Sequence, residues 1–365
     1  MQRMKIDIPA KIIFLKALVI LPSSNFEAEI HKTTKPTRCL MIISQTPLRV
    51  SFCGGGSDLP AYYQNSIGGG CVTSLSLAKY IHVTVNKRFE DDIRVSYSKT
   101  EIVDNFEDLE HELVREAMRM TGVTRAVEIT TIADIPSRGT GLGSSSAVTV
   151  GLLSALYAYS GQDVSPQVIA EQACEIEINI LGQTIGRQDQ YGCAIGGVNH
   201  IMFNPDDSVE IEPICLSDNL LSKMSDEFSL LYTGKTRSAT KFLSHQSANT
   251  ANNMPLLNRM VEQAKEVREH LINGEFSRVG ELLHEGWLLK KELASGISLS
   301  EIDELYSTIL SAGATGGKLL GAGGGGFILF HGSAEVRARV AEALPSHRLL
   351  ALEVAKNPVS IIFRN

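Results

Sequence analysis

At 365 residues the chain is too long for one ordinary core, and at about 150 residues per domain it is expected to form two packed domains. A composition of 43% hydrophobic, 6% aromatic and 21% charged residues excludes a disordered, collagen-like or disulfide-dense chain. With 34 Lys and Arg against 41 Asp and Glu the net charge is −7, which argues against nucleic acid or an anionic membrane as main partner and leaves room for a local basic pocket.

The apolar stretch Ile12–Leu21 contains Lys16 and falls well short of the ~20 residues that cross a bilayer. No small-x-small cleavage pattern follows it, so residues 1–40 are expected to be a tail or upstream extension, with Met41 as the true beginning. From Ile42 to Phe52, IISQTPLRVSF reads as a β-strand interrupted by Pro47 and running into Gly54, Gly55 and Gly56. CVTSLSLAKYIHVTVNKRF and DIRVSYSK then alternate apolar and polar residues, as antiparallel strands with one wet face do. A helix is expected over 104–121, where Leu109, Leu113, Ala117 and Met120 recur at helical spacing before Gly122, and AVEITTIADI returns to β character.

Glycine and serine next open a buried helix with Val148, Leu152, Leu156 and Tyr159 on one face, ending at Gly161. A further helix covers about 165–181, GGVNHIMF reads as a strand, and the polar stretch after it places a domain boundary near 205–225. The second half holds FSLLYTG, helices near 250–273, 275–295 and 300–312, and the strand candidates FILF, RLLALEVA and VSIIFRN, so it also mixes α and β. Cys39, Cys53, Cys71, Cys174, Cys193 and Cys215 form no C-x-x-C pair, which suits a reducing compartment and makes cytoplasm the default. The nine histidines show no metal-ligand spacing, and Trp287 is expected to pack within an amphipathic helix.

The chemistry concentrates in glycine clusters. In PSRGTGLGSSSA, Pro136 to Ala147, glycines remove the side chains that keep an anion away from backbone N–H groups, and the following helix brings roughly half a positive charge to its N-terminus. Three consecutive serines can cap the helix, donate to phosphate oxygens or hold a metal. This is a polyphosphate cradle but not a Walker A loop, because Gly-x-x-x-x-Gly-Lys-Ser/Thr is absent from the sequence. Gly321, Gly323 and Gly326 fit G-x-G-x-x-G, yet the strand FILF follows them where a dinucleotide fold requires a helix.

Three separated elements, PLRVSFCGGGSD from Pro47, GLGSSSA from Gly141 and GATGGKLLGAGGGG from Gly313, occur in that order. Together they resemble the three motifs of the GHMP kinases, the family of galactokinase, homoserine kinase, mevalonate kinase and phosphomevalonate kinase. The resemblance runs from Met41 to the C-terminus and implies an α+β, two-domain GHMP kinase fold. Its ATP-binding N-terminal domain, residues 41–215, would be like ribosomal protein S5 domain 2, and its C-terminal domain, residues 216–365, ferredoxin-like, with the active site between them. Within the family, SQTPLRVSFCGGGSDLPAYY, RVSYSKTEIVD, HELVREAM and GRQDQYG resemble the members that phosphorylate the anomeric hydroxyl of a seven-carbon sugar phosphate. The implied reaction is ATP- and Mg²⁺-dependent phosphorylation of D-glycero-D-manno-heptose 7-phosphate to the 1,7-bisphosphate. Its partners are then small molecules, without nucleic acid or membrane, and a homodimer is compatible with the reading. The alternatives are a family member acting on another sugar such as L-fucose, and a non-catalytic nucleotide- or sugar-sensing module.

The same resemblance distributes roles. Asp189 matches the aspartate that accepts the substrate hydroxyl proton and Arg49 the arginine beside the attacking oxygen; on residue type alone they could be a loop-capping carboxylate and an ordinary ion-pair partner. Gly139, Gly141, Leu142, Gly143, Ser144, Ser145 and Ser146 are expected to bind the ATP phosphates. Asp58 is expected to accept sugar hydroxyls, with Ser57, Gly55 and Gly56 lining the same pocket, while Gly321, Gly323 and Gly324 let the third loop approach the phosphates and the first loop. Ser145 and Glu177 are the magnesium candidates by analogy with mevalonate kinase, although one more residue separates Glu177 from Asp189 than in that pattern. For the phosphate carried by the sugar, Arg237 in Thr233-Gly234-Lys235-Thr236-Arg237 is the candidate, with Lys87, Arg88 and Arg138 as rivals. Lys318 reads either as a phosphate ligand or as a surface lysine.

Overall fold

A computed structural model describes residues 41–136, 139–235, 249–293 and 297–365; residues 1–40, Arg138 and Arg237 lie outside the described residues. Strands β1 (Met41–Cys53), β2 (Gly70–Lys87), β3 (Ile93–Ser96), β4 (Thr100–Val103), β5 (Val127–Ala133), β6 (Val198–Phe203) and β7 (Val209–Pro213) make most of one sheet. A second sheet holds β8 (Phe228–Tyr232), β9 (Gly316–Leu319), β10 (Phe327–His331) and β11 (Leu349–Ala351), in the order β11-β8-β10-β9. The last strand, β12 (Ser360–Arg364), returns to the first sheet, whose order is β12-β1-β2-β5-β3-β4, with β6 on the far stretch of β2 and β7 beyond it.

The helices are α1 (Pro60–Tyr63), α2 (Glu112–Thr121), α3 (Ser144–Tyr159), α4 (Pro166–Cys174), α5 (Gln188–Ala194), α6 (Asp218–Glu227), α7 (Met254–Asn273), α8 (Phe276–Leu293), α9 (Ser300–Ser311) and α10 (Ala334–Ala343). Among them none is long and apolar enough to cross a membrane. Helix α3 is buried nearly all round, as an apolar helix inside a core is. It lies close against β1: a side chain at Gly151 would press on Thr46 and Val83, and the Gly151 carbonyl accepts a hydrogen bond from Ser44. Trp287 is fully buried on α8 and meets Tyr306 edge-on, as its amphipathic pattern implied.

Several expectations change. A boundary at 215/216 separates the two sheets except for β12, which pairs antiparallel with β1, Ile42 opposite Arg364, so the C-terminal segment completes the N-terminal sheet. The first sheet is antiparallel except between β3 and β5, which run parallel because β4 and α2 supply the crossover such a pair needs. The polar stretch after β6 contains β7 and α6, the latter capped by the Ser217 hydroxyl on the Leu220 N–H. Helix α10 escaped the sequence pattern because only Val336 and Val340 among its residues are buried.

Pro47 fixes how β1 serves the cavity. It has no N–H to give the ladder, and the register with β2 shifts by a bulge between Pro47 and Leu48. Beyond the bulge the period of two sends Leu48, Val50 and Phe52 into the core, all fully buried, and turns Arg49 and Ser51 toward a cavity.

Candidate active site

The cavity has a volume of about 1180 Å³ and is walled by β1, the loop entering α3, the start of α5, α8 and the glycine loop between β9 and β10. Single-ligand clefts run to about 1,000 Å³, so this one lies just above that range.

Gly139, Gly141, Gly143, Ser144, Ser145 and Ser146 all line it. Gly143 is the N-cap of α3, in left-handed conformation at φ 71°, and no side chain caps the helix. The serines are therefore not spent on capping. Ser144 meets Thr140 at 3.0 Å, Ser146 donates to Glu177 at 2.8 Å and Ser145 is exposed to the cavity. The helix start keeps its N–H groups and its partial positive charge for an anion. Leu142 departs from expectation: its side chain is fully buried outside the cavity wall, and its carbonyl accepts the Arg49 N–H at 3.0 Å.

The third motif packs on this loop backbone to backbone. A Cβ at Gly141 would overlap the Leu320 carbonyl, and one at Gly321 would overlap the Gly141 Cα. Gly321 and Gly323 line the cavity; Gly324 does not, because its N–H turns away to the Ile297 carbonyl at 2.9 Å.

Arg49 joins the loop to Asp189 at the first turn of α5. Its Nη1 donates to the Gly141 carbonyl at 2.5 Å, while Nε and Nη2 both donate to Asp189 Oδ1 at 2.9 and 2.7 Å. Arg49 is buried, and the Asp189 side chain keeps 29% of its surface exposed. Among the described residues, Asp189 Oδ2 has no hydrogen-bond partner, so one carboxylate oxygen is held and the other is available at the cavity wall.

Asp58 adjoins this pair through Gln188. Its Oδ1 accepts the Gly56 N–H at 2.8 Å and its Oδ2 the Gln188 N–H at 3.2 Å, tying the first glycine motif to the start of α5. Burial raises its pKa above the ordinary value, opposed by these hydrogen bonds and reinforced by the charge of Asp189. Asp58, Gly55 and Gly56 line the cavity, but Ser57 does not. Its hydroxyl is fully buried, donating to the Gly54 and Cys71 carbonyls and accepting from the Cys71 N–H, so it locks the turn.

Glu177 is completely buried, yet lines the cavity. Ser146, Thr149 and Gln190 donate to its carboxylate, and burial pushes its pKa up to about 7 against those bonds. It sits where α4 widens into a π-helical turn, Glu175–Ile180. Glu175, two positions away on the same turn, is exposed, as residues i and i+2 of a helix point in different directions. A buried carboxylate with no cationic side chain paired to it among the described residues, on the same cavity wall as the exposed Ser145 hydroxyl, offers the hard oxygen donors that a magnesium ion takes.

Lys87 and Arg88 do not line the cavity; Arg88 is engaged by Asp92 and Glu128, and Lys87 is exposed. Lys318 proves to be buried on the cavity wall, with Nζ donating to the Phe52 carbonyl at 2.9 Å. Sequence reasoning missed Ser51, Gln188 and Lys290. Ser51 Oγ and Gln188 Oε1 are buried without partners among the described residues, and a Cβ on Gly55 would lie within 3.9 Å of both side chains. Both residues stand inside the recognised motifs, so that the period of two from Arg49 could have flagged Ser51. Lys290 looks like the ordinary basic last turn of a helix.

The GHMP kinases N terminal domain model matches residues 106–197 and the GHMP kinases C terminal model residues 260–348. A D-glycero-alpha-D-manno-heptose 7-phosphate kinase of Campylobacter jejuni is 29% identical over 306 residues, 79% of this chain and 88% of the relative. A mevalonate kinase of Thermococcus onnurineus is 31% identical over 243 residues, 64% of this chain and 67% of the relative. The fold is shared with the crystal structure of a D-glycero-D-manno-heptose 1-phosphate kinase from Bacteroides thetaiotaomicron, at a TM-score of 0.73 and 23% identity over 88% of this chain and 99% of that one.

Proposed function

The chain belongs to the GHMP kinase family, and from that premise we propose that it transfers the γ-phosphate of ATP to the anomeric hydroxyl of D-glycero-D-manno-heptose 7-phosphate. The observation that carries the reading is the Arg49–Asp189 pair, with one carboxylate oxygen held by the guanidinium and the other without a partner among the described residues, on the same cavity wall as the serine loop.

Phosphoryl transfer asks a protein chiefly to align the nucleophile and to neutralise charge on the transferring oxygens. The N–H groups opening α3 and the hydroxyls of Ser144 and Ser145 hold the ATP phosphates. Arg49 fixes the Asp189 carboxylate, and Oδ2 takes the proton of the anomeric hydroxyl as that oxygen attacks. Asp58 orients the loop that carries Asp189 and presents its remaining lone pairs to sugar hydroxyls. Ser145 and Glu177 would hold Mg²⁺, which when bound neutralises phosphate oxygens.

The test is a kinase assay with ATP against heptose 7-phosphate, unphosphorylated heptose and L-fucose, with the phosphorylated carbon identified by ³¹P–¹H NMR. Preferred turnover of heptose 7-phosphate at the anomeric carbon is expected. Preference for fucose would move the chain to another branch of the family, and no turnover of any sugar, with ATP bound, would make it a sensing module.

A further inference from the structure

Resting on that reading, we propose that Lys290 and Lys318 form the subsite that receives the phosphate carried by the acceptor itself. The two residues come from different elements, α8 and β9, and both line the cavity. Lys318 is 7% exposed and donates to the Phe52 carbonyl, next to the unpartnered Ser51 hydroxyl. Lys290 donates to the carbonyls of Leu319 and Gly321 on the third glycine loop.

What sets these two apart is charge. Of the other cations on the wall, Arg49 is neutralised by Asp189 and Lys99 by Glu110. Neither Lys290 nor Lys318 meets a carboxylate among the described residues; each is satisfied only by neutral carbonyl oxygens. Buried ammonium groups are ordinarily paired, because desolvation disfavours the charge. Here burial depresses the pKa of both, and the neighbouring charges of Lys318 and Arg49 lower Lys290 further. A phosphate monoester, which carries close to two negative charges near neutrality, would supply the counter-ion that both ammonium groups lack among the described residues and so favour their charged form.

The nucleotide phosphates already have a cradle in the N–H groups and hydroxyls at the start of α3. Lys318, by contrast, is bonded to β1 between Ser51 and Cys53, the strand that also carries Arg49 and leads into Gly55 and Asp58. Lys318 therefore stands on the acceptor's side of the Arg49–Asp189 pair, Lys290 joins it from the third glycine loop, and together they make the cavity prefer a sugar that brings its own phosphate.

The experiment compares the full-length protein with Lys290→Met and Lys318→Met, measuring kcat and KM for ATP, for heptose 7-phosphate and for unphosphorylated heptose. Each variant is expected to lose about 10–100-fold in kcat/KM for heptose 7-phosphate, mainly in KM, as removal of a charge-assisted contact does. Turnover of unphosphorylated heptose and the KM for ATP should stay within about twofold. Equal losses in kcat on both acceptors would assign the lysines to the transferring phosphoryl group and overturn the proposal; so would a rise confined to the ATP KM. On the wild-type protein, inorganic phosphate is expected to inhibit competitively against heptose 7-phosphate and not against ATP, and the reverse pattern overturns the subsite without any variant having to fold. If wild type prefers a different phosphorylated sugar, the acceptor assignment fails while the lysines are judged on that sugar. If it prefers unphosphorylated sugars, both fail.

Discussion

Arg49 and Asp189, 140 positions apart in the chain, meet through two guanidinium nitrogens on one carboxylate oxygen, at 2.9 and 2.7 Å. The third nitrogen of the same guanidinium holds the Gly141 carbonyl, so one side chain sets the proton acceptor and the phosphate loop in a common frame. Asp189→Asn keeps an oxygen for Arg49 and removes the basic one. Turnover is expected to fall by about 10²–10⁴-fold, the usual worth of a positioned general base, with nucleotide affinity preserved. Steady-state kinetics beside nucleotide titration check this, and near-normal turnover would refute the assignment.

The contact between Gly141 and Gly321 leaves no room for a side chain on either. Gly321→Ala adds overlap with Gly141 to the cost of a positive φ of 74°, and about 1–3 kcal/mol of stability together with a raised KM for ATP is expected. Gly122→Ala is the control. It has the same handedness at φ 71° but open space around it, so it pays only the backbone cost of roughly 1 kcal/mol and leaves ATP affinity alone. Urea unfolding and ATP titration of both variants separate the two effects.

Burial holds the Glu177 carboxyl up to about 7, above its ordinary 4.5, so across that interval the folded chain keeps a proton that the unfolded chain has lost. The stability this group contributes is complete below its ordinary value and is lost as pH rises through about 7, at up to roughly 1.4 kcal/mol per pH unit. Glu177→Gln removes the loss, and thermal melts of the metal-free protein should show the variant gaining on wild type from pH 5 to pH 8. A constant difference across that range would place the titration elsewhere. Added Mg²⁺ is expected to stabilise wild type increasingly above about pH 7, where Glu177 is ionised, and to leave the variant nearly unmoved.

Ser51 carries a buried hydroxyl with no partner among the described residues. Removing an unsatisfied polar atom costs the folded chain nothing, so Ser51→Ala should melt at or slightly above the wild-type temperature. Its KM for the sugar is expected to rise about 3–10-fold, the loss of one hydrogen bond, with the KM for ATP unchanged. A lower melting temperature with an unchanged sugar KM would make Ser51 structural.

Much of this was legible in the residues themselves, because local signals are short-range. The strand IISQTPLRVSF, the glycine loop opening α3 and the order of three glycine motifs depend on period, turn chemistry and spacing, which a sequence displays directly. Packing decided the rest. Nothing local tells Ser57, spent on backbone carbonyls, from Ser51, two residues past Arg49 and facing the cavity. Nor does a Lys-Lys pair at the end of α8 announce that Lys290 turns inward, or a C-terminal SIIFR that it completes the sheet begun at Met41. Which neighbour satisfies a polar group, and which charge is left without one, is fixed only when distant segments are brought together, and there the chemistry of this cavity is set.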